Sequence, residues 1–321
     1  MAVYTKINNI ELRQFLSQYD IGELVAFAEI AEGVENSNFL VQTTKGPFIL
    51  TLYEKRVDPD DLPFFLQLLT HLSEQDVSCP IPVKKRDGKI LNQLNQRPAA
   101  IVTFLDGTSP KATTHIHCEA VGVSMAKMHS AGKHFKMQRE NSLSIKQWRP
   151  LLNSCDLLNR PIYLKLYNEL NEELNWLEAN WPYDLPKGII HADLFPDNIF
   201  FLNGNLSGVI DFYFACTDFL SYDLAISINA WCFEADETFS TEKSKTMVHA
   251  YQSQRSLSSD EITCFPVLMR GSAIRFLLTR LYDWLNHPPD AFVKPKDPMS
   301  YLKKLHFHQK VQSPKEYGFV I

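Results

Sequence analysis

The sequence predicts an α+β fold with two lobes, a small antiparallel-sheet lobe first and a larger, mainly helical lobe after it. Strand-like apolar runs occupy the first hundred residues, whereas apolar positions at helical spacing dominate the rest. The 321 residues suit two lobes or one large domain. With 45% hydrophobic and 21% charged residues the composition is that of a globular protein, so extensive disorder and fibrous structure are excluded.

The first lobe begins with three predicted strands. A short apolar helix follows them, because Asp58 is a suitable cap, Pro59 suits a first turn, and apolar residues recur at helical spacing up to Leu72. The dipeptide Asp87-Gly88 indicates a second hairpin. The predicted strands cover residues 24–31, 39–44, 47–53 and 98–105. The boundary between the lobes is therefore placed after residue 105, giving lobes of residues 1–105 and 106–321.

The second lobe contains several predicted helices and a C-terminal stretch without a clear role. Leucines at three- and four-residue steps mark the clearest helix, and the last stretch, from residue 288 onward, contains five prolines. The predicted helices cover residues 120–128, 163–181, 222–233, 241–254 and 261–285.

Charge and cysteine usage narrow the classes of partner and location. The net charge is −5 with no basic block, so nucleic acid and anionic membranes are poor candidate partners. No apolar run approaches the ~18 residues of a membrane helix, and the N-terminus lacks the pattern of a secretory signal. Six dispersed cysteines form no C-x-x-C pair. These features predict a cytoplasmic protein with reduced cysteines, and they do not define an oligomeric state.

Four polar residues carry the strongest functional pattern. His191 and Asp193 form a His-x-Asp element, and Asn198 follows five residues after the aspartate. A predicted hairpin with an Asn203-Gly204 turn comes next, and Asp211 lies at its far end. Asp, Asn and Gly also occur in turns for local hydrogen bonding alone. The joint pattern is far more specific than any single turn residue, and it favours a functional site.

Phosphoryl transfer explains this arrangement. A substrate hydroxyl must be oriented and must lose its proton, and a carboxylate in a loop can accept it. Mg²⁺ prefers oxygen ligands and takes few of them from the protein, which suits one carboxylate and one amide. We therefore predict Asp193 as the catalytic base, Asn198 and Asp211 as Mg²⁺ ligands, and His191 as a residue that orders the loop.

At these residues the sequence resembles the protein-kinase-like phosphotransferases, in the branch of the aminoglycoside phosphotransferases and choline kinases. The resemblance implies ATP as co-substrate. Residues 32–38 resemble a phosphate-covering turn, with Gly33, Ser37 and Asn38 as candidate nucleotide contacts, and residues 101–107 resemble a hinge strand, with Phe104 as a candidate contact. Asp223, in an Asp-Leu-Ala element, matches a position whose role in that branch is structural.

Several longer segments resemble the homoserine kinases within this branch, a family of bacterial threonine biosynthesis. They lie in both predicted lobes, at residues 31–38, 52–58, 191–198, 211–218 and 275–285. The resemblance implies transfer of the γ-phosphoryl group of ATP to the side-chain hydroxyl of L-homoserine.

The nucleotide side departs from the kinase pattern. Kinases place a lysine on the third strand, but Thr51 stands there in this chain. Lys55 has the same strand parity as Thr51 and is the candidate replacement, with a solvated Lys55-Arg56 pair as the alternative interpretation. The phosphate turn contains only one glycine, Gly33, so polar side chains or backbone groups would complete it.

The substrate side favours a small molecule. Only eleven residues separate Asp211 from Asp223 and no Ala-Pro-Glu element occurs, so a peptide-docking segment is missing. Arginine suits recognition of an amino-acid carboxylate because its fork is bidentate. The candidate substrate residues are Arg275 and Arg280 for the carboxylate and Tyr213, Asp218 or Asp283 for the ammonium group, with Arg280 and Asp283 merely pairing on one helix face as the alternative. A kinase of another small hydroxyl compound, such as an amino alcohol or aminoglycoside, and a nucleotide-binding pseudokinase remain the competing interpretations.

Overall fold

The N-terminal part is a five-stranded antiparallel sheet. The computed structural model describes residues 5–30, 36–54, 58–287 and 295–320. The strand order is β1-β2-β3-β5-β4. The strands are β1 (Leu24–Ile30), β2 (Ser37–Thr43), β3 (Gly46–Leu52), β4 (Asn92–Leu94) and β5 (Arg97–Thr103). Four of them match the predicted strands closely, which confirms the predicted sheet.

The two faces of this sheet have different partners. Phe39 pairs with Leu50, and Asn38 pairs with Thr51. Because side chains alternate along a strand, Phe39 and Leu50 point to one face and Asn38 and Thr51 to the other. The first face packs against helix α1 (Asn9–Leu16), whose Asn8 cap accepts a hydrogen bond from the backbone of Glu11. The opposite face, which we call the cleft face, is turned toward the C-terminal part, since the Thr51 side chain hydrogen-bonds that of Tyr213.

Helix α2 (Leu62–Ser73) joins the sheet to the helical part. Asp58 caps a short 3-10 helix, Pro59–Asp61, that leads directly into α2, so the predicted start of the helix is confirmed. The apolar side chains of α2, including Phe65 and Leu72, belong to the large hydrophobic core of the C-terminal part.

The C-terminal part is mainly helical and is organised around one long helix. Its helices are α3 (His115–Gly132), α4 (Ile145–Ser154), α5 (Leu164–Asn180), α6 (Leu220–Trp231), α7 (Thr241–Gln252), α8 (Ser259–Thr263), α9 (Phe265–Asn286) and α10 (Met299–His308). Helix α9 packs against α4, α5, α6 and α10. Gly271 permits this packing, because a Cβ there would lie only 2.2 Å from the Trp181 ring and 2.8 Å from that of Trp148.

Two small ribbons sit between the sheet and the helices. Strand β6 (Lys187–Ile190) pairs with β9 (Cys216–Phe219), and β7 (Ile199–Leu202) pairs with β8 (Asn205–Val209). The β7–β8 turn places Asn203 and Gly204 at φ 51° and 82°, the left-handed region that a tight hairpin requires. The predicted hairpin is therefore confirmed.

Three local predictions need correction. The turn at Asp87-Gly88 joins no pair of named strands, and the second hairpin turns instead at Asn95-Gln96. The predicted helix over residues 261–285 is interrupted at Cys264, because Pro266 has no N–H for an internal helical hydrogen bond and instead starts α9. Helices α1, α4 and α10 were not predicted. The α+β architecture is confirmed, whereas the exact lobe boundary at residue 105 stays a prediction.

The structure contains no candidate membrane span. Within the four described ranges, no helix combines the length and the apolar character that crossing a bilayer requires.

Candidate active site

The loop between β6 and β7 holds the predicted base. The amide nitrogen of Asn198 donates to both the backbone carbonyl and the Oδ2 of Asp193, at 2.9 and 3.0 Å. These two bonds fix the carboxylate relative to its own backbone. They also occupy the donor side of the Asn198 amide, which leaves Oδ1 as its acceptor atom.

A second loop is tied to the first through Ile210. The Ile210 N–H donates to the carbonyl of Asn198 at 2.9 Å, and the Ile210 carbonyl lies 2.9 Å from Nε2 of His191. Asp211 follows immediately, with a left-handed backbone at φ 63° and ψ 63°. Asp193, Asn198 and Asp211 thus lie in two adjacent loop segments at the same end of the β7–β8 ribbon.

His191 connects these segments as a neutral hydrogen-bonding residue. Burial lowers the pKa of its imidazole. Nε2 must donate to the Ile210 carbonyl, and Nδ1 accepts from the Asp193 backbone N–H at 3.3 Å. This geometry supports the predicted loop-ordering role.

Asp223 supports the loop from inside the protein. Its fully buried carboxylate accepts from the backbone N–H groups of His191 and Ala192, at 2.9 and 2.8 Å, and from Nε2 of His129 at 3.1 Å. Burial opposes ionisation, yet the hydrogen bonds hold the pKa of Asp223 below its ordinary value. The structural role that the sequence suggested is consistent with these contacts.

Arg275 lies beneath the same loop. Only 2% of the residue is exposed, and Nη1 donates to the carbonyl of Ala192, whose φ is 63°. The guanidinium also lies 4.2 Å from the ring centroid of Phe276. Arg275 therefore contacts the protein interior rather than an open pocket, against the prediction that it binds substrate.

Arg280 occupies the more open side of the loop. Its Nη1 donates to Ser300 Oγ at 3.0 Å, and its Cζ lies 4.4 Å from the ring centroid of Tyr301 and 6.0 Å from that of Phe195. Tyr301 belongs to α10, in the C-terminal stretch for which no role was predicted. Its position near the loop depends on the packing of α10 on α9, a tertiary contact without a local sequence signal.

Asp218 and Tyr213, two of the three candidates for the ammonium group, point elsewhere, and the third, Asp283, lies exposed near the end of α9. Asp218 accepts from the side chain of Asn141 at 2.7 Å and from the Phe219 N–H at 2.8 Å, and burial raises its pKa. Its carboxylate is thus used inside the protein. Tyr213 packs edge-on against Tyr53 and Phe65, each with a centroid distance of 5.7 Å, so it faces the sheet and α2 rather than Asp218.

The nucleotide side is described only in part. Gly33 and Lys55 lie outside the described residues. Ser37 is fully buried and its hydroxyl donates to Glu54 at 2.7 Å, so this side chain is committed to an internal bond rather than to a phosphate. Asn38 accepts from Thr51 Oγ1 at 2.8 Å on the cleft face of the sheet.

Phe104 follows the last residue of β5 and is 36% exposed. Its side chain is therefore accessible, as contact with the adenine ring of a nucleotide requires. Among the described residues no three His, Cys, Asp or Glu side chains cluster as a metal site. A Mg²⁺ ion held by one carboxylate and one amide does not need such a cluster, because phosphate oxygens and water complete its shell. The oxygens of Asn198 and Asp211 are suitable donors for that ion.

Comparisons with known proteins relate the whole chain to one family. The sequence model of the phosphotransferase enzyme family matches residues 26–246. The homoserine kinase of Rhodospirillum rubrum is 57% identical over 318 residues, covering 99% of each chain, and that of Bradyrhizobium diazoefficiens is 55% identical over 321 residues, covering 100% of this chain and 98% of the relative.

Solved structures with low sequence identity share the fold. Amicoumacin kinase hAmiN, in complex with AMP-PNP, Ca²⁺ and Ami, has a TM-score of 0.68 at 14% identity and covers 95% of this chain and 94% of its own. Choline kinase from Cryptosporidium parvum has a TM-score of 0.68 at 15% identity, covering 94% and 95%. By its match to the family model and its full-length relatives, the chain belongs to the phosphotransferase enzyme family and, within it, to the homoserine kinases.

Proposed function

We propose that this protein transfers the γ-phosphoryl group of ATP to the side-chain hydroxyl of L-homoserine, giving O-phospho-L-homoserine and ADP. The support is the 52–57% identity to homoserine kinases along almost the whole chain. The observation that carries the chemistry is the double hydrogen bond by which Asn198 holds Asp193. We place this activity in the cytoplasm, as a step of amino-acid biosynthesis.

Asp193 is the proposed base. The homoserine hydroxyl oxygen attacks the γ-phosphorus in line with the bond to the β,γ-bridging oxygen, which breaks as ADP leaves. The hydroxyl proton passes to the Asp193 carboxylate. The bonds from Asn198 keep that carboxylate at one position, so its contribution is orientation as well as proton transfer.

Asn198 and Asp211 are the proposed Mg²⁺ ligands. The ion, when bound, neutralises charge on the β- and γ-phosphate oxygens. Asn198 would then serve both functions at once, with its amide nitrogen on the base and its amide oxygen on the ion. This dual use explains why an amide rather than a second carboxylate suits the position, since a carboxylate could not donate to Asp193.

The proposed organisation has an N-terminal lobe of residues 1–105 over the nucleotide and a C-terminal lobe of residues 106–321 with the base and the acceptor. Phe104, at the junction, is the proposed adenine contact. Asn38, on the cleft face of the sheet, is a proposed contact of the phosphates, and Gly33 and Lys55 remain candidates beside it.

Replacing Asp193 by Asn tests the assignment. We expect kcat for homoserine to fall by roughly 10²- to 10⁴-fold, while nucleotide affinity stays within a few-fold, because the amide cannot accept the proton. ADP release measures the rate, and phosphorus NMR identifies the product. Asp197→Asn is the matched control, since Asp197 lies in the same loop but is exposed and pairs only with Lys296 at the surface.

The same assays separate the competing functions. Near-normal turnover in Asp193→Asn would remove Asp193 from the chemistry. A higher kcat/KM for an amino alcohol or an aminoglycoside than for homoserine would establish the alternative kinase activity. Nucleotide binding without transfer to any hydroxyl acceptor would identify a pseudokinase.

A further inference from the structure

Helix α9 carries three arginines that are used differently. Arg270 forms an ion pair with Glu173, with Nε 2.7 Å from Oε1. Arg275 and Arg280 have no carboxylate partner among the described residues. A guanidinium without an acidic partner is costly when it is removed from water, so each of these two needs a separate explanation.

Arg275 is explained by the protein itself. Its charge is buried under the catalytic loop, where it donates to the Ala192 carbonyl and lies against the Phe276 ring. The charges of Arg275, Asp223 and Asp193 all affect the pKa of the His191 imidazole. These contacts offset part of the cost of burying the charge, although Nε of Arg275 has no hydrogen-bond partner among the described residues.

Arg280 lacks such compensation. It is only partly buried, and its partners are the Ser300 hydroxyl and the faces of Tyr301 and Phe195. A guanidinium has five N–H donors, and Ser300 accepts from one of them. The aromatic contacts hold the plane of the guanidinium but do not accept hydrogen bonds from its other N–H groups. The guanidinium is therefore held in one orientation while several of its N–H groups remain available to a ligand.

Tyr301 supplies an independent observation at the same place. The residue is 1% exposed, and its phenolic oxygen has no hydrogen-bond partner among the described residues. Buried tyrosine hydroxyls ordinarily have a partner. Burial raises the pKa of Tyr301, so the phenol is protonated and can donate. The ring of Tyr301 lies 4.4 Å from the Arg280 guanidinium, so the unpaired hydroxyl and the arginine belong to one side-chain cluster.

We propose that Arg280 and the Tyr301 hydroxyl bind the α-carboxylate of the amino-acid substrate while its hydroxyl lies at Asp193. This inference rests on the proposed homoserine kinase function. A carboxylate can accept from both the unused N–H groups of Arg280 and the unpaired phenol and also balances the charge of the arginine, whereas a neutral acceptor leaves that charge unbalanced and a cation is repelled.

The size of the substrate fits the loop. Four bonds separate the hydroxyl oxygen of homoserine from its carboxylate carbon, roughly 5 Å in an extended chain. Phe195 lies two residues after Asp193, its N–H donates to the Asp193 carbonyl at 2.8 Å, and Arg280 lies 6.0 Å from its ring. Arg280 therefore lies on the ring of a residue that belongs to the same loop as the base, and a short acceptor such as homoserine suits a site shared by the two.

Arg280→Met tests the proposal with two acceptors that differ only in the carboxylate. L-homoserine carries it, and 3-aminopropan-1-ol is the same molecule without it. We expect kcat/KM for homoserine to fall by roughly 10- to 100-fold, mainly through KM, while the rate with 3-aminopropan-1-ol stays within about threefold of wild type. Tyr301→Phe should lower kcat/KM for homoserine by roughly fivefold and should leave that for 3-aminopropan-1-ol unchanged.

Two further variants separate recognition from folding. Arg280→Lys keeps the charge but loses the fork, so its homoserine KM should lie between those of wild type and Arg280→Met. Arg13→Met, on the exposed face of α1, is the control for loss of an arginine far from the site. Thermal unfolding shows whether each variant is folded, and Tyr301→Phe preserves the ring on which Arg280 lies.

The outcomes distinguish this inference from the proposed function. If the wild-type protein does not phosphorylate homoserine, the proposed function fails. If it does, and the homoserine KM stays within about threefold of wild type in both Arg280→Met and Tyr301→Phe, the carboxylate assignment alone is overturned. Equal losses with both acceptors would also overturn it, because they would show a general structural effect.

Discussion

Asp223→Asn should test whether the catalytic loop depends on one buried carboxylate. The substitution keeps the shape of the side chain and removes its charge. In the wild-type protein Oδ1 accepts from the Ala192 N–H, and Oδ2 accepts from the His191 N–H and from His129. All three donors point at a group that is 0% exposed, so water cannot replace a lost acceptor.

The magnitude follows from these three bonds. If the amide oxygen takes the position with two donors, its NH₂ group faces the Ala192 N–H, donor against donor. One charge-assisted bond is then lost, at about 1.5–3 kcal/mol, and two buried donors are left unpaired, at about 1–3 kcal/mol more. We expect the free energy of unfolding to fall by about 3–5 kcal/mol, a large part of the 5–15 kcal/mol typical of a folded domain.

Urea unfolding at neutral pH measures this loss, with Asp197→Asn as the exposed control. Hydrogen bonds hold the pKa of Asp223 below its unfolded value of about 3.9, so its stabilisation is fully present above that pH and disappears as the pH falls through the folded value. The difference between wild type and variant should therefore narrow in acid. At urea concentrations too low to unfold the variant, its kcat should be at least about tenfold below that of wild type, because Ala192 directly precedes the base and its position affects that of Asp193. A stability loss under 1 kcal/mol together with unchanged kcat would refute the assignment of this support to Asp223.

Two further predictions concern buried cations. Arg275→Met should lower kcat by about tenfold, because the Ala192 carbonyl loses its donor beneath the catalytic loop. The homoserine KM should change less, because Arg280 and Tyr301 are unaltered. Steady-state kinetics showing an unchanged kcat would contradict this. Burial lowers the pKa of Lys304 to about 8. Between pH 8 and pH 10 the folded protein has released this proton while the unfolded chain still holds it, so stability rises with pH. Over this range the free energy of unfolding of the wild-type protein should increase by about 2 kcal/mol relative to that of Lys304→Met. Urea unfolding at both pH values measures the gain, and Lys303→Met, on the exposed face of the same helix, is the control. The prediction is wrong if the stability difference between wild type and Lys304→Met is the same at pH 8 and pH 10.

The parts of the site that depend on local sequence could be predicted. A tight turn at Asn203-Gly204 requires left-handed backbone, so the β7–β8 hairpin and its flanking loops were recognisable from residue type alone. The same spacing indicated that Asp193, Asn198 and Asp211 would lie at one end of the ribbon. The bonds from Asn198 to Asp193 are local as well, since five residues separate the two side chains.

The parts that depend on burial could not be predicted. Arg275 and Arg280 are the same residue type on one helix, and only tertiary packing puts the first beneath the loop and leaves the second at its open side. Ser37 looked like a phosphate ligand, but strand alternation turns its hydroxyl inward to Glu54. Asp218 looked like an ammonium partner, but the bridge between Glu140 and Thr217 brings its carboxylate to Asn141.

The missing strand lysine has a structural consequence for how the sheet is joined to the active site. In kinases that lysine pairs with a helix glutamate, an ionic link between sheet and helix. Here Thr51 binds Asn38 across the strands instead, and Phe65 of α2 contacts Tyr213. Tyr213 lies two residues after Asp211, and burial raises the pKa of its phenol, which keeps the side chain uncharged.

The aromatic ring of Tyr213 thus connects the loop of Asp211 to both the sheet, through Tyr53, and helix α2, through Phe65. Dissolved salt screens an ion pair but has little effect on packed rings. These ring contacts therefore contribute to the alignment of sheet, α2 and loop independently of charge, beside the ion pair of Arg139 with Asp61 at the start of α2. Thr51 can replace a lysine at this position without loss of that alignment, and only the neutralisation of nucleotide phosphates is left for another cation to perform.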